Sequence, residues 1–216
     1  MTIICFVTQK GGSGKTTLAI SCGVAAAQAG KRVLILDMDA QATAETWYQD
    51  READTPQVVK VKAADLDKAL SVAKAKRFDV LLIDTPGRDA PGAAVAVRAS
   101  DFCIIPCRPS PADMKATPPT IETIRKLGKA AAFVLTQTPP RSFRIREAES
   151  GLSVLGMVAP VHIVLRTAYQ DAQGAGLGVT EYEPDGKAAE EVRALWDWIV
   201  KKARKVKHGD KEEDFT

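Results

Sequence analysis

The chain has 216 residues, of which 45% are hydrophobic and 26% charged, and its formal net charge is only +3. This length and apolar content suit one globular domain with a sizeable core, whereas no apolar run approaches the ~20 residues that a membrane-spanning helix needs. No basic segment followed by an apolar run marks a secretory signal, so we expect a cytoplasmic protein whose four cysteines are reduced and buried.

Apolar strand-like segments alternate with helical patterns along the whole chain. The strands are rich in Val, Ile and Leu with little alternation, which is typical of strands that are covered on both faces. The pattern therefore predicts an α/β fold with a doubly wound, mostly parallel sheet flanked by helices. We expect this fold to form a single domain over residues 1–207, followed by a disordered polar tail over residues 208–216. Strands are predicted at 2–8, 32–37, 57–61, 79–84, 102–107, 131–136 and 158–164, and helices at 16–29, 41–53, 65–76, 91–99, 113–128, 142–155, 167–174 and 186–206.

A glycine-rich turn lies between the first predicted strand and the first helix, where residues 10–17 read Lys-Gly-Gly-Ser-Gly-Lys-Thr-Thr. This is the context of a phosphate-binding loop, in which backbone N–H groups and a helix N-terminus surround an anion. Lys15 would pair with the β- and γ-phosphates, and the Thr16 hydroxyl would ligate Mg²⁺. The expected nucleotide contacts are Gly11, Gly12, Ser13, Gly14, Lys15, Thr16 and Thr17.

The loop departs from the common form of this motif. Gln9 stands where the first glycine is expected, and a second lysine, Lys10, precedes the glycine pair. This arrangement resembles the deviant Walker A motif of the ParA/MinD group of P-loop ATPases. In that group the extra lysine reaches across a dimer interface to the partner's nucleotide. The resemblance therefore implies an ATP-dependent sandwich homodimer in which Lys10 acts in trans.

Carboxylates follow two of the predicted strands. Asp37 and Asp39 end the second strand, and Asp84 follows four apolar residues at the end of the fourth. Asp84 fits a Walker B position, from which it would reach Mg²⁺. The Asp-x-Asp pair resembles the family's switch I motif, with Ala40 in place of its usual proline; this implies that Asp39 orients the attacking water and that Asp37 supports the Mg²⁺ shell. Gly87 would form switch II beside the γ-phosphate. The expected catalytic residues are Lys10, Lys15 and Asp39, the metal residues are Thr16, Asp37 and Asp84, and the cofactors are ATP and Mg²⁺.

The fifth strand runs into a proline-rich loop over residues 106–113. Its prolines predict a stiff extended segment, with Asp113 as the N-cap of the next helix. The loop resembles the Pro-x-x-Pro-Ser-Pro-x-Asp segment of small plasmid-encoded ParA proteins, where it lies near the dimer contact. A purely structural turn and a contact role both stay open.

Cations are concentrated in two parts of the sequence. A dimer doubles the number of these cations. This favours non-specific DNA binding, because each contact between a cation and a DNA phosphate releases counterions. The alternative for the last helix is a solvated end whose cations offset the helix dipole. The candidate DNA-binding residues are Arg141, Arg144, Arg146, Arg166, Lys201, Lys202, Arg204 and Lys205.

The resemblance extends over essentially the whole chain and is nearest to the small ParA branch. It implies slow ATP hydrolysis, stimulated by a ParB-type centromere-binding partner, that drives plasmid or chromosome partition on the nucleoid, with no membrane partner. The main alternative is a ParA-like ATPase that positions another cargo, either a protein complex or transferred DNA. A MinD-like membrane ATPase, an electron-transfer ATPase with cluster-ligating cysteines and a non-enzymatic DNA-binding module are less favoured.

Overall fold

The computed structural model describes residues 1–87, 90–140 and 142–208. Strands and helices alternate along the chain as predicted. The strands are β1 (Thr2–Phe6), β2 (Val33–Asp37), β3 (Gln57–Lys60), β4 (Val80–Asp84), β5 (Phe102–Cys107), β6 (Ala131–Thr138), β7 (Met157–Val158) and β8 (Ile163–Val164). The helices are α1 (Lys15–Gln28), α2 (Thr43–Gln49), α3 (Leu66–Ala75), α4 (Ala90–Ala99), α5 (Pro111–Lys115), α6 (Pro118–Lys126), α7 (Arg144–Ser153), α8 (Ala168–Gly174), α9 (Val179–Tyr182) and α10 (Lys187–His208), with a 3₁₀ turn at Ala63–Asp65.

The strands form one parallel sheet in the order β3-β2-β4-β1-β5-β6-β7, and β8 pairs with the far end of β6. This confirms the predicted doubly wound α/β fold. Strands β2, β3 and β4 lie on one side of β1, and the chain then crosses to β5 on the other side. The direction therefore changes beside β1, and the carboxyl end of β1 is the place where such sheets bind ligands.

Helices cover both faces of the sheet, and this explains the uninterrupted apolar strands. Successive residues of a strand point to opposite faces, so Ile4 and Phe6 pack in one apolar layer while Cys5 and Val7 pack in the other. The first layer contains α1 and α10, and the second contains α4, α6 and α7. All four cysteines are buried and free, as expected.

Proline explains the main differences from the predicted elements. The single helix predicted at 113–128 is two helices, α5 and α6, because Pro118 and Pro119 cannot continue the hydrogen-bond ladder of α5. The strand predicted at 158–164 is interrupted in the same way at Pro160 and forms β7 and β8. Asp113 is not an N-cap: Ser110 caps α5, and its hydroxyl accepts the Asp113 N–H at 3.2 Å.

Several helix boundaries also differ from the predicted ones by two or more residues. Helix α2 covers Thr43–Gln49 rather than 41–53, and α10 continues to His208 at the proposed domain boundary. The predicted tail from 209 to 216 lies outside the described residues. No helix in the described part of the chain is both long enough and apolar enough to span a bilayer.

Candidate nucleotide site

The glycine-rich loop opens a cleft of about 880 Å³ at the carboxyl ends of the strands. All seven predicted nucleotide-contact residues line it, together with Asp39 from the predicted switch I and Gly87 from the predicted switch II. Gly12 and Gly14 have φ values of 71° and 95°, which residues other than glycine rarely adopt. The loop therefore needs glycine at these positions to curve around a ligand. The cleft is lined by Gly11–Thr17, Asp39, Ala40, Gln41, Thr43, Pro86, Gly87 and Gln137.

Lys15 is buried at the base of this loop. Its Nζ donates to the Lys10 carbonyl at 3.1 Å. Burial lowers the pKa of Lys15, and the nearby Asp84 and Asp39 carboxylates oppose that shift. The ammonium group thus donates to the loop's own backbone and lies near two carboxylates, at a position where it can meet a phosphate.

Thr16 and Asp84 form the predicted metal pair. The Thr16 hydroxyl donates to Asp84 Oδ2 at 2.6 Å. Asp84 is 1% exposed, and its other oxygen, Oδ1, has no hydrogen-bond partner within the described ranges. Burial raises the pKa of Asp84 to about 7, with a further contribution from Asp37 and against the effects of Thr16 and Lys15. A buried carboxylate oxygen without a partner, beside a hydroxyl, fits a hard cation with oxygen ligands such as Mg²⁺.

Asp37 has a different environment from Asp84. It is fully buried; Oδ1 accepts the Asp39 N–H at 3.0 Å, and Oδ2 accepts the N–H groups of Ala44 and Glu45 at 3.0 and 3.1 Å. Three backbone donors thus occupy the carboxylate that was expected to support the metal shell. This geometry favours a role in holding switch I and the start of α2, and the metal role of Asp37 stays a prediction.

Asp39 and Gly87 both line the cleft, and they follow strands that lie on the same side of β1. Asp39 Oδ1 accepts the Gln41 N–H at 3.0 Å, which fixes the carboxylate at the wall of the cleft. A Cβ atom added to Gly87 would lie 3.2 Å from the Gly11 Cα and 3.3 Å from Lys15 Nζ. The switch II backbone therefore packs directly on the loop, and a side chain at position 87 would force the loop or Lys15 to shift. The proposed water-orienting role of Asp39 stays a prediction.

The carboxyl end of β6 contributes contacts that the sequence argument missed. Thr136 Oγ1 donates to the Ser13 carbonyl at 2.7 Å, and Gln137 Nε2 donates to the Gly12 carbonyl at 2.9 Å. A polar pair at the end of an apolar strand is the available signal, but it is weaker than the carboxylates that end the second and fourth strands. The backbone contacts themselves could not be deduced from residue types.

Lys10 is half-buried and is not among the described residues that line the cleft of its own chain. Its positive charge acts instead on Asp113 in the proline loop. Burial raises the pKa of Asp113, but hydrogen bonds from Arg108 and Ser110 and the charges of Arg108 and Lys10 outweigh it, so that the pKa is lowered overall. The Lys10 charge therefore lies near the proline loop, outside the cleft that Lys15 occupies.

The predicted basic residues separate into two groups at opposite ends of the sheet. The group at the end of α10 lies near the amino ends of the strands, because Lys207 Nζ donates to the Met1 carbonyl at 2.6 Å and lies 3.6 Å from Asp101. The start of α10 lies beside β8, where Glu191 accepts the Val164 N–H. Since α10 has 22 residues and a helix rises about 1.5 Å per residue, about 33 Å separates its two ends.

The second group lies at the carboxyl ends of β6 and β8. Arg144 and Arg146 are exposed on the first turn of α7. Arg166 is paired with Glu191 at 2.5 Å and so does not add an unbalanced charge. Arg141 lies outside the described residues. The predicted basic residues in the described part of the chain thus form two separate groups, and their role in DNA binding stays a prediction.

A parallel sheet that carries a phosphate-binding loop at its switch point, with a Thr hydroxyl bonded to a buried Asp beside the loop lysine, defines a P-loop nucleoside triphosphatase. The model of the family described as "CobQ/CobB/MinD/ParA nucleotide binding domain" matches residues 4–194, and the chain belongs to this family. It is an ATPase of the ParA/MinD type whose cofactors are ATP and Mg²⁺.

Known proteins of this family match over most of the chain. The Maintenance of carboxysome distribution protein A of Halothiobacillus neapolitanus is 31% identical over 206 residues, which cover 88% of this chain and 93% of that protein. Protein ParA of Rhizobium radiobacter is 25% identical over 182 residues, covering 78% and 81%. The crystal structure of the cell division ATPase MinD of Pyrococcus furiosus superposes with a TM-score of 0.75 at 23% identity, over 93% of this chain and 98% of that chain, which supports the fold.

Proposed function

We propose that this chain is a ParA-like positioning ATPase that forms an ATP-dependent dimer, binds DNA non-specifically and distributes a cargo along the nucleoid. The observation that carries the proposal is the separation of the two loop lysines. Lys15 is buried in the cleft, whereas Lys10 does not line that cleft and lies near the proline loop. A second cation outside its own site is available to the nucleotide of a partner subunit.

The residues of the cleft support a simple division of roles in hydrolysis. Lys15 and the loop N–H groups bind the phosphates, and Asp39 orients the attacking water. Thr16 and Asp84 would hold Mg²⁺, which neutralises charge on the transferring phosphoryl group. No arginine is among the described residues that line the cleft. Intrinsic turnover is therefore slow, and a partner protein stimulates it.

The cargo that the similarities support best is a large protein assembly. The relative named for carboxysome distribution is more similar to this chain, and covers more of it, than the Rhizobium ParA protein does. Partition of a plasmid with a ParB-type partner is the second candidate, because the ParA relative has the same type of ATPase domain. The two candidates share the ATPase cycle and differ only in what the partner protein carries.

The end of α10 is the better candidate for the DNA contact. In a sandwich dimer the two nucleotide edges face each other, so that Arg144 and Arg146 lie toward the interface. Lys201 and Arg204 are exposed at the opposite end of the sheet and line a groove together with Lys31. Such a surface stays accessible in the dimer and doubles in extent when the dimer forms, which raises affinity for a polyanion.

The dimer is tested by light scattering coupled to size-exclusion chromatography, with ATP and with ADP. We expect ATP alone to give a dimer for the wild-type chain, and Lys10→Ala to bind ATP with unchanged affinity but to remain monomeric. Lys15→Ala should lose nucleotide binding altogether. A Lys10→Ala chain that dimerises as the wild type does would contradict the in-trans role.

The DNA surface is tested by fluorescence anisotropy on a random-sequence duplex with ATP present. Lys201→Glu with Arg204→Glu should weaken binding and flatten its salt dependence, while ATPase activity is unchanged. Lys68→Glu with Lys74→Glu is the matched control, because these lysines are exposed on α3 and the change in net charge is the same. Equal losses from both pairs would show that net charge, and not this surface, determines DNA binding.

A further inference from the structure

Gln137 has an unusual backbone conformation next to the phosphate-binding loop. Its φ of 50° lies in the left-handed region, which is uncommon for a residue with a long side chain. Residues held in such conformations concentrate at functional sites, where the surrounding structure maintains them. Here the conformation directs the half-buried side chain to the wall of the cleft, where Nε2 donates to the Gly12 carbonyl at 2.9 Å.

The contact fixes one peptide unit of the loop. A peptide bond is planar and trans, so its C=O and N–H point to opposite sides. A bond that holds the Gly12 carbonyl toward Gln137 therefore sends the Ser13 N–H the other way, away from β6. Thr136 acts on the next unit in the same manner, because its hydroxyl holds the Ser13 carbonyl at 2.7 Å and so orients the Gly14 N–H. The end of β6 thus orients two consecutive loop donors.

We infer that Gln137 is a positioning residue for phosphate binding: it holds the Gly12–Ser13 peptide with its N–H directed to the side on which the phosphates of ATP bind. The inference rests on ATP binding at this site and goes beyond it by assigning a residue outside the loop motif. Without the bond, the Gly12 carbonyl has no side-chain restraint from β6, because Gly12 has no side chain of its own and no atom of the described residues lies within 4 Å of its Cβ position.

The test replaces the side chain without straining the backbone. Gln137→Gly keeps the left-handed conformation and removes the amide, while Gln137→Glu keeps the length and replaces the donor by an acceptor that faces a carbonyl. One lost hydrogen bond corresponds to about a threefold to tenfold weakening of ATP binding. Isothermal titration should show that loss for Gln137→Gly and a larger one for Gln137→Glu, with KM for ATP raised and kcat within about twofold of wild type. The unfolding midpoint of the apo protein should shift by less than about 4 °C for Gln137→Gly, because relief of the left-handed conformation offsets the lost hydrogen bond.

A ligand that lacks the adenine base distinguishes phosphate positioning by Gln137 from a direct contact between Gln137 and adenine. Tripolyphosphate, measured in competition with ATP, should lose affinity by the same factor as ATP in both variants. Gln28→Glu is the matched control, because the Gln28 amide also donates to a backbone carbonyl, that of Thr180, but away from the cleft; it should bind both ligands as the wild type does.

Three results would overturn the inference. These are unchanged ATP affinity in Gln137→Gly, a loss for ATP without a loss for tripolyphosphate, and a wild-type chain that does not bind tripolyphosphate. Failure of the wild-type chain to bind ATP would instead contradict the nucleotide site itself. The role of Gln137 and the nucleotide site are therefore contradicted by different results.

Discussion

Replacing Asp84 by asparagine should stabilise the metal-free protein at alkaline pH, although it removes a residue of the active site. Asp84 is 1% exposed, and one of its oxygens has no partner among the described residues. Its pKa is raised to about 7, against an ordinary value of ~4 for aspartate. The folded state therefore holds the proton more tightly than the unfolded state does. It follows that the wild-type free energy of unfolding decreases as the pH rises from about 4 to about 7, and is constant above that range.

The pKa values set the size of this effect. The pKa of Asp84 is about three units higher in the folded protein than in the unfolded chain. At about 1.4 kcal/mol per unit, the full cost of ionising Asp84 in the folded protein is about 4 kcal/mol. The asparagine amide leaves a buried donor unpaired, which costs about 1–3 kcal/mol. The net expectation for Asp84→Asn is therefore a gain of about 1–3 kcal/mol at pH 8.5, and a loss of about 1–3 kcal/mol at pH 4. In a domain of this size, a gain of 1 kcal/mol raises the melting temperature by about 2–4 °C.

The assay is urea unfolding of both chains in EDTA at pH 4, 5.5, 7 and 8.5. Asp113→Asn is a control of opposite sign, because the pKa of Asp113 is lowered and its carboxylate pairs with Arg108 at 2.7 Å. That substitution should destabilise the protein most at high pH. With Mg²⁺ and ATP the order of Asp84→Asn and wild type should reverse, because only the wild-type site binds the ligands fully. A stability difference between Asp84→Asn and wild type that does not change with pH would refute the reasoning.

Three further substitutions test other contacts, two beside the cleft and one between the end of α2 and α9. Asp37→Ala removes the acceptor of three backbone N–H groups and should destabilise the protein by about 3 kcal/mol, with faster hydrogen exchange at Ala44 and Glu45. Gly87→Ala forces the Cβ against the Gly11 backbone at 3.2 Å and should weaken ATP binding more than it lowers the melting temperature. The Arg51 side chain is 2% exposed and pairs with Glu181 at 2.6 Å. Arg51→Leu leaves Glu181 without this partner and should lower the free energy of unfolding by about 3–5 kcal/mol, measured by chemical denaturation.

The sequence was sufficient to predict the fold and the phosphate-binding loop because both depend on short-range patterns. Apolar strands without alternation specify a sheet covered on both faces, and the glycine loop follows directly from β1. Asp84 was identified as well, because its signal is a carboxylate after four apolar residues at a strand end. These features are set by residue type and spacing along the chain.

Features that depend on contacts between distant segments could not be predicted in this way. The division of the basic residues into two groups follows from the direction of α10 across the sheet, which no local pattern encodes. The same holds for Gln137, which is 125 residues from the carbonyl that it holds. The two helices at 111–126 were within reach of the sequence, because Pro118 and Pro119 are helix-breaking signals that the apolar periodicity obscured.

The structure also explains how switch I is held without its usual proline. A proline at position 40 would restrict the unfolded chain and contribute about 0.4–1 kcal/mol. Here the Asp37 carboxylate holds the backbone on both sides of Ala40, through the N–H of Asp39 before it and those of Ala44 and Glu45 after it. Burial of Asp37 raises its pKa and offsets part of what these bonds contribute, but a net contribution of about 3 kcal/mol from the three bonds still exceeds the restriction that a proline would supply. Switch I is therefore fixed from the buried end of β2, and Asp39 keeps its position at the cleft wall even though Ala40 does not stiffen the loop.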